Sequence, residues 1–223
     1  MKGSNGLNYP SFYKHQDIAP DYYDKNIRQN PLLRIWHTIR FSLAIEILQP
    51  YLKDGNRVLD IGCAGGTFLR YFKKRYPKLI FYGIDASKVA VEYAKKRDKK
   101  INFLQADAHK LPFQKESFEI ITCFDVLEHL ENPKKAIFEA KRCLKEKGVY
   151  LASTTTESLL FKICWFFWLK FSGSVWEHTH IQVFNFDSLP SLIKSCGLKV
   201  LLIRKFHFGM MQFVFAQKTT DKI

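Results

Sequence analysis

No C-x-x-C pair occurs among the five cysteines, at 63, 123, 143, 164 and 196. That excludes a zinc-ribbon knuckle or dithiol motif, offers no metal site, and suits a reducing cytoplasm. The stretch Met1-Lys2-Gly3-Ser4-Asn5-Gly6 lacks the apolar run of a signal peptide, which argues against secretion. Neither a long Pro/Gly/Ser-rich linker nor an internal repeat divides the 223 residues, so one domain with one sizeable core is expected. Acidic side chains are scarce, 21 against 35 basic, and the resulting +14 creates a field at any anionic surface. The densest basic runs, Lys73-Lys74-Arg75 and Lys95-Lys96-Arg97 with Lys99-Lys100, fall on or just after predicted helices. Solvated outer helix faces account for them as well as a binding patch does.

What is present is concentrated at Val58-Leu59-Asp60-Ile61-Gly62-Cys63-Ala64-Gly65-Gly66-Thr67. Val58, Leu59 and Ile61 suit a parallel strand covered on both faces, and glycines at 62, 65 and 66 let the backbone turn tightly against a ligand. Residues 67–71 then enter a helix. A dinucleotide fingerprint needs G-x-G-x-x-G, whereas Ala64 stands at the second glycine position. Asp60, two residues ahead of the first glycine, suits a cationic ligand better than a phosphate. Cys63 needs only to be small, and no chemistry is assigned to it.

Three more acids follow at strand ends. Residues 79–85 read as a second strand closing on Asp85, 25 residues after Asp60, followed by Ala86. A carboxylate there can accept both ribose hydroxyls, as its counterpart does in dinucleotide folds. Residues 101–108 read as a third strand closing on Asp107 and Ala108, and residues 118–125 as a fourth closing on Phe124 and Asp125, ahead of Val126-Leu127-Glu128-His129-Leu130. Four acids in this order, around this turn, resemble the class I S-adenosylmethionine-dependent methyltransferases. The resemblance implies S-adenosylmethionine as cofactor, held by Asp60, Gly62, Cys63, Ala64, Gly65, Gly66, Asp85, Ala86, Asp107, Ala108 and Phe124. It would set Asp107 beside the adenine amine.

Residues 133–145 read as an amphipathic helix broken by Gly148, residues 149–153 as a fifth strand, and residues 191–195 as a helix stopped by Gly197. Residues 198–204 and 210–216 read as two final strands with a turn around Gly209. Alternating strands and helices predict an α/β, Rossmann-like doubly wound sheet. The resemblance covers about residues 45–217 and implies seven strands, mostly parallel with the last antiparallel. A helical cap over residues 1–45 and a methyltransferase domain over residues 46–223, with an apolar insertion at about 157–180, are expected.

Two absences argue against a nucleic-acid acceptor. Enzymes of this resemblance that methylate base amines carry an N/D-P-P-Y type motif after the fourth strand, where this chain reads Phe124-Asp125-Val126-Leu127. Those that methylate pyrimidine carbon use a cysteine usually preceded by proline, and no Pro-Cys dipeptide occurs. Ribose methylation of RNA on the basic surface stays open as an alternative. So does a catalytically silent, membrane-docked assembly protein, against which the intact set Asp60, Gly62, Asp85 and Asp107 speaks.

Residues 159–171 read Leu-Leu-Phe-Lys-Ile-Cys-Trp-Phe-Phe-Trp-Leu-Lys-Phe. That is too short to span a bilayer, which takes about 20 residues. On a helix Lys162 and Lys170 lie about 80° apart, so both can face water while Trp165, Phe167, Trp168 and Phe171 cover much of the rest. The pattern suits a helix lying in a membrane interface, a lid over a small apolar substrate, or a dimer contact. It leads to a peripheral position on the inner membrane face and a small-molecule or lipid-like substrate, without specifying an oligomeric state. Ubiquinone-biosynthesis O-methyltransferases resemble the chain more narrowly. They carry an apolar insertion here, then elements similar to Glu177-His178-Thr179-His180 and Phe186-Asp187-Ser188-Leu189, and an N-terminal N-P-L-R element similar to Asn30-Pro31-Leu32-Leu33-Arg34.

Apolar positions 32, 35, 36, 39, 43 and 47 recur at helical spacing and predict a helix packed on the sheet edge. In related enzymes such a helix closes over the cofactor and an arginine meets the methionine carboxylate; Arg40 is the first candidate and Arg34 the second. Tyr22-Tyr23 would belong to a substrate-gating cap. O-methylation requires loss of a hydroxyl proton, for which a histidine is suited. His129, His178 and His180 are the candidates.

Overall fold

Val58, Leu59 and Ile61 are all but inaccessible to solvent, as a strand covered on both faces requires. They form β1 (Arg57–Ile61), which pairs in parallel with β2 (Ile80–Asp85) on one side and β4 (Phe118–Phe124) on the other. β3 (Asn102–Gln105) extends the sheet beyond β2, and β5 (Leu144–Thr155) extends it beyond β4, both in parallel. β7 (Met211–Lys218) runs antiparallel between β5 and β6 (Leu198–Phe206), giving seven strands in the order β3-β2-β1-β4-β5-β7-β6. The expected Rossmann-like sheet with an antiparallel last strand is therefore observed. These relations come from a computed structural model, which describes residues 19–156, 158, 161–162 and 181–219.

Alternation along each strand divides the core in two. Val58, Phe81, Ile120, Val149 and Phe213 face α2 (Pro31–Leu48), α3 (Thr67–Arg75) and α4 (Lys88–Arg97). Leu59, Ile61, Ile84, Ile121 and Tyr150 face α5 (Pro133–Cys143) and α6 (Ser188–Ser195). Each such buried side chain contributes roughly 1.5–3 kcal/mol. Strand order reverses between β1 and β4, so the crevice at their carboxyl ends is the topological switch point where ligands bind in open α/β sheets.

Two local expectations shift. The helix read over 133–145 ends at Cys143, and Leu144 already pairs with Phe118. Lys147 takes φ 61° and the β4–β5 register slips between Phe118 and Ile120, so a strand with an irregularity replaces the expected helix end and glycine break.

The larger correction concerns α2. The helix is there, begun by Pro31 at its first turn and capped by Asn30 Oδ1, which accepts from the N–H groups of Leu32 and Leu33. Its buried residues are His37, Arg40, Phe41, Ala44, Ile45, Ile47 and Leu48. Of the expected apolar stripe Ile47 is buried and Trp36 and Leu43 pack partly buried on the core, whereas Leu32, Ile35 and Ile39 are 77%, 55% and 44% exposed. Arg40 turns inward to the carboxylate of Asp125, just after β4, with His37 one turn before it, and Leu32, Ile35 and Ile39 face out instead.

Candidate functional site

The turn after β1 is shaped by its neighbours rather than by side chains of its own. Gly62 takes φ 73° and donates its N–H to the Ile84 carbonyl, as does Cys63. A Cβ on Gly62 would lie 2.1 Å from Val126 Cγ2, and one on Gly66 (φ 75°) 2.5 Å from the Phe103 ring. Ala64, standing where a dinucleotide fold has glycine, also takes a left-handed φ of 45°. Its N–H donates to Asp85 Oδ2 at 2.8 Å, while Ser87 N–H donates to Oδ1 at 2.8 Å. Asp85 is thereby pinned at the β2 carboxyl end, and each oxygen retains a lone pair for a hydroxyl donor. Burial raises its pKa above the ordinary value, opposed by those backbone N–H groups.

Asp60 lies 4% exposed under the turn and accepts from Thr122 Oγ1 at 2.7 Å. Burial pushes its carboxyl up to about 7, against the Thr122 hydrogen bond and the charge of Arg40. A buried acid with a single neutral donor favours a cation brought by a ligand. Asp107 sits at the end of β3, accepting from His109 N–H and lying 2.8 Å from His109 Nδ1. Ala108 is buried in the adjoining core, and the Ala86 carbonyl accepts from Gln105 Nε2. Cys63 is buried and its thiol is raised well above the ordinary value by burial, so it supplies no thiolate. Asp60, Gly62, Cys63, Ala64, Gly65, Gly66, Asp85 and Asp107 thus stand at or just beyond the carboxyl ends of β1, β2 and β3, which lie side by side in the sheet. A cradle with no room for a Cβ, a pinned carboxylate and a buried acid lacking a cation together fit an adenosyl amino acid.

Arg40 reaches this crevice from α2. Its Nη1 donates to Asp125 Oδ2 at 2.5 Å, its guanidinium lies 5.4 Å over the Phe124 ring, and its Nε is buried without a partner. Asp125 follows β4 with φ 54°, receives Ser153 Oγ at 3.0 Å, and donates its own N–H to the Ser153 carbonyl. Arg34, the second arginine candidate, is exposed on the outer face of α2. His129 ends the short 3-10 turn Leu127–His129, its N–H donating to the Val126 carbonyl. His178, His180 and most of the apolar stretch lie outside the described residues.

Three contributors, Asp125, Glu128 and His37, are not among the residues the sequence offers for the site. Asp125 was read only as a strand end, yet it decides where Arg40 points. Glu128 is 2% exposed with both carboxylate oxygens buried and unpartnered; burial and the charge of Asp125 hold it well above the usual carboxylate range. His37 packs edge-on against Tyr23, and burial, then Arg40, push its imidazole down to about 3. Tyr23 itself feels the charges of Asp125, Arg40 and Asp85, and burial raises its phenol far above the ordinary value. Tyr23 belongs to the Tyr22-Tyr23 pair that the sequence offers for a substrate-gating cap. Among the described residues no group of three or more His, Cys, Asp or Glu is placed to hold a metal, and no helix is long and apolar enough to cross a membrane.

Comparison with known proteins follows the same lines. The family described as "Methyltransferase domain" matches residues 35–203. Demethylmenaquinone methyltransferase of Thermotoga maritima is 30% identical over 182 residues, covering 74% of this chain and 77% of its own length. Ubiquinone biosynthesis O-methyltransferase of Coxiella burnetii is 28% identical over 212 residues, covering 91% of this chain and 87% of its own length. Among solved structures, a SAM-dependent methyltransferase from Thermotoga maritima superposes with a TM-score of 0.68 at 19% identity, over 94% of this chain and 100% of that one. One from Aquifex aeolicus does so with 0.63 at 18%, over 90% and 99%. At such identity the structural likeness speaks to fold alone.

Proposed function

The chain belongs to the methyltransferase-domain family and is an S-adenosylmethionine-dependent methyltransferase, and from that premise we propose that it O-methylates a small, apolar, quinone-like acceptor at a membrane surface. One observation carries the acceptor class: the likeness to a ubiquinone-biosynthesis O-methyltransferase extends over 91% of the chain. The apolar run at residues 159–171 of this chain supports the same acceptor class.

Bound S-adenosylmethionine supplies an electrophilic methyl group on sulfur, and the remaining work falls to this chain's residues. Asp85 would receive ribose hydroxyls, Asp107 would face the base, and Asp60 with the backbone of residues 62–66 would hold the amino-acid end. Arg40, paired with Asp125, would share its charge with the carboxylate of the cofactor. An acceptor hydroxyl must lose its proton as it attacks; His129, beside the buried Glu128 on the turn after β4, is the first choice as base, with His178 and His180 the others. The exposed Leu32, Ile35 and Ile39, with Arg34 among them, and the Lys162 and Lys170 of the apolar segment support contact with an anionic lipid surface. The basic charge alone does not select a nucleic acid.

The test is incubation with methyl-labelled S-adenosylmethionine and a cell extract, followed by partition into organic, nucleic-acid, protein and aqueous fractions. Label in the organic fraction is expected; label confined to nucleic acid would overturn the acceptor class. Replacement of the true base by alanine should lower kcat by about 10²- to 10⁴-fold.

A further inference from the structure

α1 (Tyr22–Gln29) has eight residues and none of them is buried. A helix so short is marginal by itself in water; Ile27 packs against the edge of the core and Tyr23 against His37. Its polar fastening is one carboxylate. Asp24 Oδ1 accepts from Arg70 Nη2 at 2.6 Å and from Thr67 Oγ1 at 2.8 Å; Oδ2 accepts from Arg70 Nη2 at 2.7 Å and from Tyr93 OH at 2.8 Å, and lies 3.7 Å from Arg97 Nε. Arg70 passes the connection on, its Nη1 donating to the Gly65 carbonyl at 2.5 Å. A single side chain thus ties α1 to α3, to α4 and to the glycine turn.

What this tie holds down is the crevice itself. The Pro20 carbonyl oxygen lies 2.5 Å from the position of a Cβ on Gly65, so the chain ahead of α1 rests directly on the turn. One residue before Asp24, Tyr23 sends its ring against His37 and within reach of the charges of Asp125, Arg40 and Asp85. On the other side α1 is joined to α2 by Asn30 alone, whose backbone is extended (φ −119°, ψ 110°) and whose side chain belongs to the α2 cap. The hinge lies at Asn30, the plug is Tyr23 and the fastening is Asp24.

We propose that Asp24 is a positioning residue that latches α1 over the cofactor crevice, so that cofactor entry and product release require its contacts with Arg70, Thr67 and Tyr93 to break. The carboxylate touches no reacting atom; it acts through the placement of Tyr23 and Pro20. Charge-assisted hydrogen bonds of this kind are stronger than neutral ones and short-range, and closure of this sort commonly sets turnover. Nothing here depends on which acceptor is methylated.

The experiment measures the binding and release rates of S-adenosylhomocysteine by stopped-flow fluorescence on the full chain, with circular dichroism as the check of folding. Asp24→Asn keeps the shape and removes the charge. It should raise the release rate about ten- to a hundred-fold and the association rate as well, because a looser lid opens in both directions. Arg70→Gln should do the same, and the double variant should be little worse than either alone, since both remove one coupled contact. Tyr93→Phe, which deletes a single hydroxyl, should give a several-fold increase and serves if the charge variants fail to fold. Lys78→Ala, which breaks an exposed pair with Asp54 away from the crevice, should change neither rate. Release from Asp24→Asn and Tyr93→Phe within two-fold of the unaltered chain would overturn the latch. So would faster release with slower association, the mark of a damaged binding surface. Absence of binding by the unaltered chain would overturn it together with the cofactor site.

Discussion

The turn after β1 and the helix α2 meet at the same crevice but are held there by different physics. The turn is held chiefly through its backbone: positive φ at Gly62, Ala64 and Gly66, N–H groups donated to the Ile84 carbonyl and the Asp85 carboxylate, and no space for a Cβ beside Val126 and Phe103. The C-terminal half of α2 packs through Phe41, Ala44, Ile45, Ile47 and Leu48, but its N-terminal half reverses the usual order of a surface helix, with Arg40 and His37 inside and Leu32, Ile35 and Ile39 outside. The contrast teaches that the cofactor half of the site is specified by shape, whereas the half that closes over it is specified by one buried ion pair and by what the exposed face meets.

The sharpest way to break the shape side is Gly62→Val. A side chain there meets Val126 at 2.1 Å with φ already at 73°. The variant should lose S-adenosylhomocysteine affinity by more than a hundred-fold and stability by about 2–4 kcal/mol. Isothermal titration and denaturant unfolding check both, and Val126→Ala should restore part of the stability but not the φ cost.

The ion pair is next. Arg40 is 7% and Asp125 22% exposed at the side chain, so Arg40→Met leaves a partly buried carboxylate without its cation. It should cost about 2–4 kcal/mol in urea unfolding, and Asp125→Asn in the same chain should recover much of that loss. If Arg40→Met alone costs under about 0.5 kcal/mol, the inverted face of α2 has another cause.

pH separates the two regions. Asp60 is held at about 7, above the ordinary 3.8, so the folded chain keeps a proton that the unfolded chain releases. Its contribution is fully present below pH about 4 and is lost as pH rises through 7, on the order of 2–4 kcal/mol. Asp60→Asn should abolish that decline, and S-adenosylhomocysteine, bringing an ammonium group, should bind more tightly over the same rise in pH. His37 and His207 run the other way. Burial first, then Arg40, lowers them to about 3 and about 4, so the stability they carry is present above pH 6.5 and drains as pH falls through those values. His37→Phe should flatten the acid side of the unfolding profile by roughly 1–3 kcal/mol.

The smallest effect on folding is expected where the helix face is most anomalous. Leu32→Ser, Ile35→Ser and Ile39→Ser together should change stability by about 1 kcal/mol or less. The same triple variant should lower sedimentation with vesicles containing anionic lipid several-fold. Equal sedimentation would assign the exposed face some other role.

These two regions also differ in how far the sequence discloses them. Val58 to Gly66 is legible because its signals are local: a strand pattern, glycines at fixed intervals, and acids that end the next strands in order. The doubly wound α/β sheet follows from the alternation of strands and helices, and its seven strands with the last antiparallel from the family resemblance. The inward face of α2 is not legible, because Asp125 lies 85 residues from Arg40 and periodicity counts Leu32, Ile35 and Ile39 as core when nothing pairs them to the sheet. Asp24 is hidden for the same reason, its partners at 67, 70 and 93 being brought together only by the fold. Glu128 reads as one more charge on a polar turn until burial strips it of partners.

The account's central claim is methyl transfer to an apolar hydroxylated acceptor, and its most direct test compares two phenols sharing one head group, with and without a long hydrocarbon tail. Each is presented in lipid vesicles with labelled S-adenosylmethionine, and the initial rate of ether formation is followed. The account predicts a kcat/KM at least ten-fold higher for the tailed phenol and loss of transfer in Gly62→Val. Equal rates for the two, or transfer to RNA in their place, would contradict it.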